Sequence, residues 1–563
     1  MSRTSAPAVK NAHVNLSTDT IIANLPADGL RSIIRTILVQ APEVTDLLEE
    51  QAKKYLRKTM PSTVGSLFIN EAPSSAGARE SDNFYATQKR IRSMLGCGLG
   101  FESLALLRIV VEQVADLHID PSTREGARLM DVLAAVDGDM VQAITAVQKT
   151  LLKRDGSRAL TNQEIETIEQ FSVALLRCLK ASRAQGYEFV FDRGLTAISE
   201  FVTIEDTSIG TGSDHLYIPT SSKDEESMPS TIPLPLETFD LGPFTAPRLF
   251  GGLWQLSSPA WGVASQVKIM QQFAKYVDTG YTAFDMADHY GDAELIFGRF
   301  RASHPSSSSI IGSTKYCVFH PITVTPKVVQ DNVTERLTRL GSETVDLLQF
   351  HWQDYSDPQY IKALQLLEKD SRVTVLGLCN FDSKHLQHVI DSGIHVATNQ
   401  VQFSLIDSRP TFKMGDICEK HNIKLLTYGT LCGGFLADKW LGQEEPELFV
   451  QNITPSQRKY FEMINTWGGW TLFQELLAVL SRIAEKHSVG ISNVATRWVL
   501  DFPYVGAVIV GARMGVSEHA DENLASYGWQ LDEEDNAAID QVQAKSRRAQ
   551  LFDEMGDCGS EYR

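Results

Sequence analysis

Four residues in the second half of the chain have the types and spacing for acid–base chemistry. Asp285 and Tyr290 stand five positions apart in FDMADHYGDAE (284–294), Lys315 ends SIIGSTK (309–315), and His351 ends VDLLQFH (345–351). Singly, each is weak: a strand-end lysine is usually a solvated charge, and a buried histidine usually a satisfied core residue. Together they describe a proton donor. A tyrosine hydroxyl titrates near ~10, too high for easy proton delivery at neutral pH. A neighbouring lysine ammonium is expected to lower that value, and the ammonium in turn needs a carboxylate counter-ion, here Asp285. A neutral histidine can hydrogen-bond and orient a carbonyl oxygen. Such a set suits protonation of a carbonyl as hydride reaches its carbon. Because no side chain delivers hydride, a nicotinamide cofactor is implied.

Elements far apart in sequence must bring these groups together. From about 247, short apolar runs alternate with amphipathic segments. The runs are RLFGGLWQL (248–256), AFDMA (283–287), SIIGSTK, VDLLQFH, VTVLGLCN (373–380), VATNQVQF (396–403), IKLLTYG (423–429) and VGAVIVG (505–511). Near-continuous apolar strands mean burial on both faces, hence a parallel sheet covered by helices. Eight β/α units in this length predict an α/β fold, a closed (β/α)8 TIM barrel whose strand C-terminal ends converge on one site. An open doubly wound sheet would want a glycine fingerprint after its first strand, and GCGLG (96–100) follows no strand.

The first 200 residues read differently. Apolar residues at spacings of three and four in LRSIIRTILVQ (30–40), VTDLLEEQAKKYLRK (44–58), FESLALLRIVVEQVADL (101–117) and the runs at 130–154 and 162–186 predict helices. The expected organisation is an all-α domain over 1–200, a flexible Ser/Thr/Pro/acid-rich linker over 201–246, the barrel over 247–545 and a tail over 546–563. A net charge of −18 argues against nucleic acid or an anionic membrane as partner. Seven scattered cysteines without a CxxC fit a reducing, cytoplasmic setting, and no apolar run of spanning length occurs. CEKH (418–421) and HLQH (385–388) read as helix faces, so no metal site is expected.

DTGYTAFDMADHYGDAE (278–294), STKY (313–316) and VDLLQFHW (345–352) resemble, in order and spacing, signature segments of the aldo-keto reductases. The resemblance spans about 243–545 and implies a barrel that binds NAD(P)H without a Rossmann domain. It makes Tyr290 the general acid, Lys315 and Asp285 its tuning pair, and His351 the carbonyl-orienting group. Cys379-Asn380 stand where the family has Ser-Asn on the nicotinamide carboxamide. Gln400 falls at the second carboxamide contact, and Tyr428 at the aromatic that stacks on the ring. Gly429, Thr430, Leu431 and Gly433 lie in the stretch resembling the pyrophosphate loop. Arg513 matches the contact to the 2′-phosphate, while Glu522 and Asn523 match the adenine contacts. His519 stands where an arginine is frequent, and Met514 replaces a usual hydroxyl. Trp254 and Trp352 fall at substrate-cleft positions. NADPH is the expected cofactor, with NADH as the other choice, and a small carbonyl compound the substrate. The helical half carries no catalytic constellation and is expected to serve a protein partner or self-association. The competing reading is a cofactor-binding sensor in which the helical half acts.

Overall fold

The computed structural model describes residues 22, 24–61, 63–69, 78–153, 156–206, 236–257, 261–262, 264–447 and 453–563. They fall into two compact units, one comprising residues up to Met60 with 446–453, the other comprising the rest. In the first unit, helices Ala27–Gln40 and Thr45–Lys58 flank a short turn at Pro42–Val44. Proline at 42 disfavours helical backbone in the residue before it, which stops the first helix there.

The second unit begins with five helices: Asp82–Gly96, Gly100–Ala115, Arg124–Leu151, Asn162–Gln185 and Asp192–Asp206. Three start as their sequences require, with Ser81, Thr123 and Thr161 accepting a backbone N–H from the first turn. Leu107, Val111, Leu133, Met140, Phe171 and Leu175 form their buried faces. Two short antiparallel pairs, Phe68–Ile69 with Arg79–Glu80 and Leu152–Lys153 with Gly156–Ser157, interrupt the helical region expected from sequence.

Eight parallel strands then close a barrel: β1 (Leu249–Gly252), β2 (Ala283–Asp285), β3 (Ile311–Val318), β4 (Val345–Trp352), β5 (Val373–Cys379), β6 (Thr398–Gln402), β7 (Lys424–Tyr428) and β8 (Val505–Gly511). Each pairs with its neighbour in sequence, and β8 returns to β1. Their side chains are buried almost throughout, as near-continuous apolar runs demand. A hairpin of Thr238–Leu241 and Phe244–Pro247 packs Leu241, Phe239 and Phe244 against the barrel interior around Phe250, Leu347 and Leu426. Gly242, at φ 57°, makes its turn.

The stretch expected as a linker, 201–246, is thus structured at both ends. Helix persists to Asp206 and the hairpin starts at Thr238, while residues 207–235 lie outside the described residues. Two short apolar residues either side of one glycine were too little periodicity to announce that hairpin. The tail expected after 545 carries a helix, Arg548–Met555, and a final turn, Ser560–Tyr562. Among the described residues, no helix is long and apolar enough to cross a membrane.

Candidate active site

Parallel pairing sets Asp285 beside Ser313 on β3, and Gln349 on β4 beside Lys315. Asp285 ends β2 with its carboxylate buried, and the Lys315 ammonium donates to its Oδ2 at 2.6 Å and to the Met286 carbonyl at 2.9 Å. The other carboxylate oxygen accepts from Gln349 and Gln400, both at 2.8 Å, and from the Ser313 hydroxyl at 3.2 Å. Each member of the ion pair therefore has hydrogen-bond partners besides the other, which lets two charges stay buried. Burial opposes the charge on Lys315, and the adjacent carboxylate more than offsets it, so the ammonium stays protonated well above its ordinary value.

The Lys315 nitrogen lies 5.0 Å from the centre of the Tyr290 ring. Tyr290 sits in the turn between β2 and helix Ala293–Ser303, its carbonyl accepting the Ala293 N–H at 3.2 Å. Burial pushes the Tyr290 hydroxyl above its ordinary value, and Lys315 pulls against that shift without cancelling it. This reverses the lowering expected from sequence, because Lys315 is already paired with Asp285 and because burial penalises the phenolate. The phenol thus keeps its proton at neutral pH.

His351, near the end of β4, is buried, and its Nε2 has no hydrogen-bond partner. Burial, assisted by Arg563 and His289, holds it down to about 3, so the ring is neutral at pH 7. An unsatisfied nitrogen on a buried neutral imidazole is a hydrogen-bonding group without its partner, which a ligand carbonyl can supply. Phe319 packs edge-on against both His351 and His289, and His289 against Tyr290. Asp288, His289 and Cys317 also bring ligand atoms within 4.8 Å of one another, a grouping absent from the sequence reading. The Asp288 carboxylate there is already engaged by His289, by the Cys317 N–H and, at 3.3 Å, by Arg336.

The expected cofactor residues follow the strand ends around the barrel. Cys379 closes β5, buried, its thiol pushed up to about 12 by burial. Asn380 adopts a positive φ of 57° and accepts from the Tyr428 hydroxyl at 3.0 Å. Gln400 spends both Nε2 hydrogens on Asp285 and Gln349, leaving Oε1 to accept from a carboxamide. After β7, Gly429, Cys432, Gly433 and Gly434 all take positive φ, a backbone form that builds anion-binding concavities. Within that stretch Thr430 ties its hydroxyl to the Phe403 carbonyl, and Leu431 gives its carbonyl to Gly434. Arg513 is exposed, with Nε on the Ser517 hydroxyl at 3.1 Å. His519 pairs with Glu522 at 2.8 Å, and the Glu522 backbone carbonyl accepts from Asn493 one residue before Asn523. Backbone loop, amide acceptor and exposed guanidinium together fit a dinucleotide.

Trp254 is 42% exposed and lies tilted against Trp261, ring centres 5.1 Å apart. Trp352 is only 2% exposed, with its indole N–H on the Asp354 carbonyl and its ring against Phe350 and Tyr360. Expected at the cleft, Trp352 is packed within the wall.

Sequence reasoning missed several residues. Gln349 and Ser313 hold Asp285, and a lone glutamine inside an apolar strand was the available signal. The tail gave none. Yet the Tyr562 and Tyr428 hydroxyls are hydrogen-bonded at 3.1 Å, and the Tyr562 ring lies edge-on to His351 at 5.6 Å. Arg563 donates to the Asn380 carbonyl and covers the Tyr355 ring at 3.9 Å. Arg409 fastens this segment through Glu561, at 3.0 Å to each oxygen.

Residues 248–544 match the profile of the aldo/keto reductase family. Flagellar radial spoke protein 5 of Chlamydomonas reinhardtii is 32% identical over 186 residues, covering 29% of this chain and 35% of that protein. Pyridoxal reductase, chloroplastic, of Arabidopsis thaliana is 23% identical over 353 residues, covering 57% of this chain and 91% of its own. The NADH-specific methylglyoxal reductase of Escherichia coli is 22% identical over 329 residues, covering 54% and 95%. With more than half its length matched and the barrel closed as described, the chain belongs to the aldo/keto reductase family, NAD(P)H oxidoreductases that act on carbonyl groups.

Proposed function

We propose that this chain reduces an aldehyde or ketone to an alcohol with NADPH, Tyr290 supplying the proton, and that the same groups run the reverse oxidation. The observation that carries the reading is the meeting of a buried, neutral His351 with a bare Nε2, a protonated Tyr290, and a Lys315–Asp285 pair behind it. The nicotinamide, when bound, supplies hydride to the carbonyl carbon. His351 hydrogen-bonds the carbonyl oxygen and orients it. Tyr290 gives its hydroxyl proton to that oxygen as negative charge develops there, and the Lys315 ammonium stabilises the phenolate left behind. Asp285, held by Ser313, Gln349 and Gln400, keeps Lys315 charged and in place.

Arg513, with an exposed guanidinium, supports NADPH over NADH, since a guanidinium can grip a 2′-phosphate through two nitrogens. Pyridoxal reductase and a methylglyoxal reductase specific for NADH both lie among the relatives, so the carbonyl and the cofactor each need measuring. Phe319 and Trp254, both well exposed, and Tyr355 support an apolar or aromatic carbonyl compound. A cytoplasmic setting agrees with seven unpaired cysteines. Exposed Ile33, Ile34 and Ile37 on the first helix support a protein contact there, with a partner or a second copy. The direct test is oxidation of NADPH and NADH by the full chain against aromatic and aliphatic aldehydes and ketones. No turnover with either cofactor on any of them would sink the reading.

A further inference from the structure

A segment outside the barrel reaches the turn that carries Tyr290. Arg193, in helix Asp192–Asp206, donates through Nε to Asp292 Oδ2 at 2.8 Å and through Nη2 to Oδ1 at 2.7 Å. The two side chains are 5% and 2% exposed. This is the forked, two-bond geometry in which a guanidinium fixes both the distance and the direction of a carboxylate. Asp292 is two residues beyond Tyr290 and opens helix Ala293–Ser303, yet its side chain caps nothing in that helix. Its carboxylate is given over to Arg193.

Arg193 is itself held. The buried Asp137, on helix Arg124–Leu151, accepts its backbone N–H at 3.2 Å and that of Gly194 at 2.7 Å. Gly194 lies so close to that helix that a Cβ would meet Met140 Sδ at 2.9 Å. Next along, Thr196 accepts from Arg299 of helix Ala293–Ser303 at 2.8 Å. On its other side the same turn is held by the barrel alone. Arg339 donates to the Gly291 carbonyl and, at 2.7 Å, to the buried Glu294, which also accepts from Thr314. Tyr290-Gly291-Asp292 is therefore gripped between two guanidinium groups, one from the barrel and one from the helical region.

We propose that Arg193 is a positioning residue for Tyr290: through Asp292 it fixes the turn that sets the phenol against the substrate carbonyl. The Asp137–Arg193–Asp292 link is then part of the catalytic apparatus, and the helical region that carries it is not a separable appendage. The catalytic half of this proposal rests on the carbonyl-reductase reading above. A shift of about 1 Å in a reacting group can cost up to roughly a hundredfold in rate, so a grip on one side only is expected to slow the reaction without weakening cofactor binding.

The test uses the full chain with Arg193→Met, Arg193→Lys, Asp292→Asn and, as a control on docking alone, Thr196→Val. Two readouts are taken: hydrogen exchange of the peptide covering 286–293, compared with peptides from β4 and β6, and kcat with the Kd for NADPH. Arg193→Met is expected to speed exchange in 286–293 selectively and to lower kcat roughly ten- to a hundredfold, with NADPH affinity within about twofold. Arg193→Lys is expected to recover part of kcat, since the charge remains and the fork does not. Thr196→Val is expected to match the wild type. Should Arg193→Met not fold, Asp292→Asn carries the same expectation with almost no change in volume. Unchanged exchange in 286–293 together with unchanged kcat, even at a lower melting temperature, would overturn the proposal and leave the pair a structural fastening. A wild type that turns over no carbonyl would sink the reductase reading instead, and the exchange of 286–293 would still decide whether Arg193 holds the turn.

Discussion

The Tyr428 and Tyr562 hydroxyls are hydrogen-bonded at 3.1 Å, joining the end of β7 to the final turn of the tail. The Tyr562 ring also lies 5.6 Å from His351, and Lys459 sits 5.9 Å and 5.8 Å from the two tyrosine rings. The tail is thus a wall against His351 and the end of β7. Tyr562→Ala removes that wall while leaving Tyr290, Lys315, Asp285 and His351 untouched. The expected outcome is a rise in kcat/KM for a bulky aromatic ketone relative to a small aldehyde, by about tenfold, the size a change in pocket volume can produce. An unchanged ratio would mean that substrate does not approach past Tyr562.

Lys315 and Asp285 are a buried pair, 3% and 4% exposed, 2.6 Å apart. Removing one partner strands a charge away from water. Lys315→Met is expected to destabilise the fold by ~3–5 kcal/mol, and Lys315→Met with Asp285→Asn by distinctly less, because the second change removes the stranded carboxylate. Urea unfolding of both single variants and the double measures the coupling. Equal stability of the Lys315→Met single variant and the double variant would show that the carboxylate finds another partner.

His351 gives a pH dependence of defined sign. Its folded value is about 3, against 6.5 for the ordinary imidazole. The unfolded chain therefore binds this proton below pH 6.5 while the folded chain declines it down to about pH 3. The contribution of His351 to stability is full above pH 6.5 and is lost as pH falls through that window, by up to roughly 1.4 kcal/mol per pH unit. His351→Asn is expected to flatten the decline between pH 6 and pH 4 in melting experiments. A profile parallel to the wild type would contradict the buried neutral imidazole.

Cys379 stands where the resembled family places a hydroxyl, with its thiol held up to about 12 by burial. A thiol is a weak hydrogen-bond partner for a carboxamide. Cys379→Ser is expected to tighten NADPH binding by a few-fold, on the order of one neutral hydrogen bond at most. The native thiol is expected to resist alkylation at pH 7.5 until the chain unfolds. Fluorescence titration and mass spectrometry read the two outcomes, and rapid alkylation of the native chain would show an exposed thiolate.

The barrel was legible because its strands carry an uninterrupted apolar signal: all eight runs read from sequence became strands, with Asp285 last in its strand, His351 next to last in its own, and Lys315, expected to close β3, three residues short of its end. Asp285, Tyr290, Lys315 and His351 could be grouped because a barrel forces strand ends together. What lay hidden depends on contacts between segments with no pattern of their own. Arg193 is an ordinary charge in an amphipathic helix until its distance to Asp292 is known. Tyr562 and Arg563 belong to a short polar tail, and the hairpin from Thr238 has too few residues for its alternation to register. The direction of the Tyr290 shift was misjudged for a related reason: the strength of burial around the phenol cannot be read from residue types. The packing of Trp352 into the wall escaped for the same reason.

The most direct measurement is NADPH oxidation by the full chain and by Tyr290→Phe on the best carbonyl found for the wild type, with NADPH binding followed in both. If Tyr290 is the proton donor, the variant binds NADPH as the wild type does and its kcat falls by about a thousandfold, within the range for loss of a positioned acid. Turnover by Tyr290→Phe close to wild type would contradict that role. Binding without turnover in the wild type itself would shift the function to cofactor sensing and to the helical region that grips the Tyr290 turn.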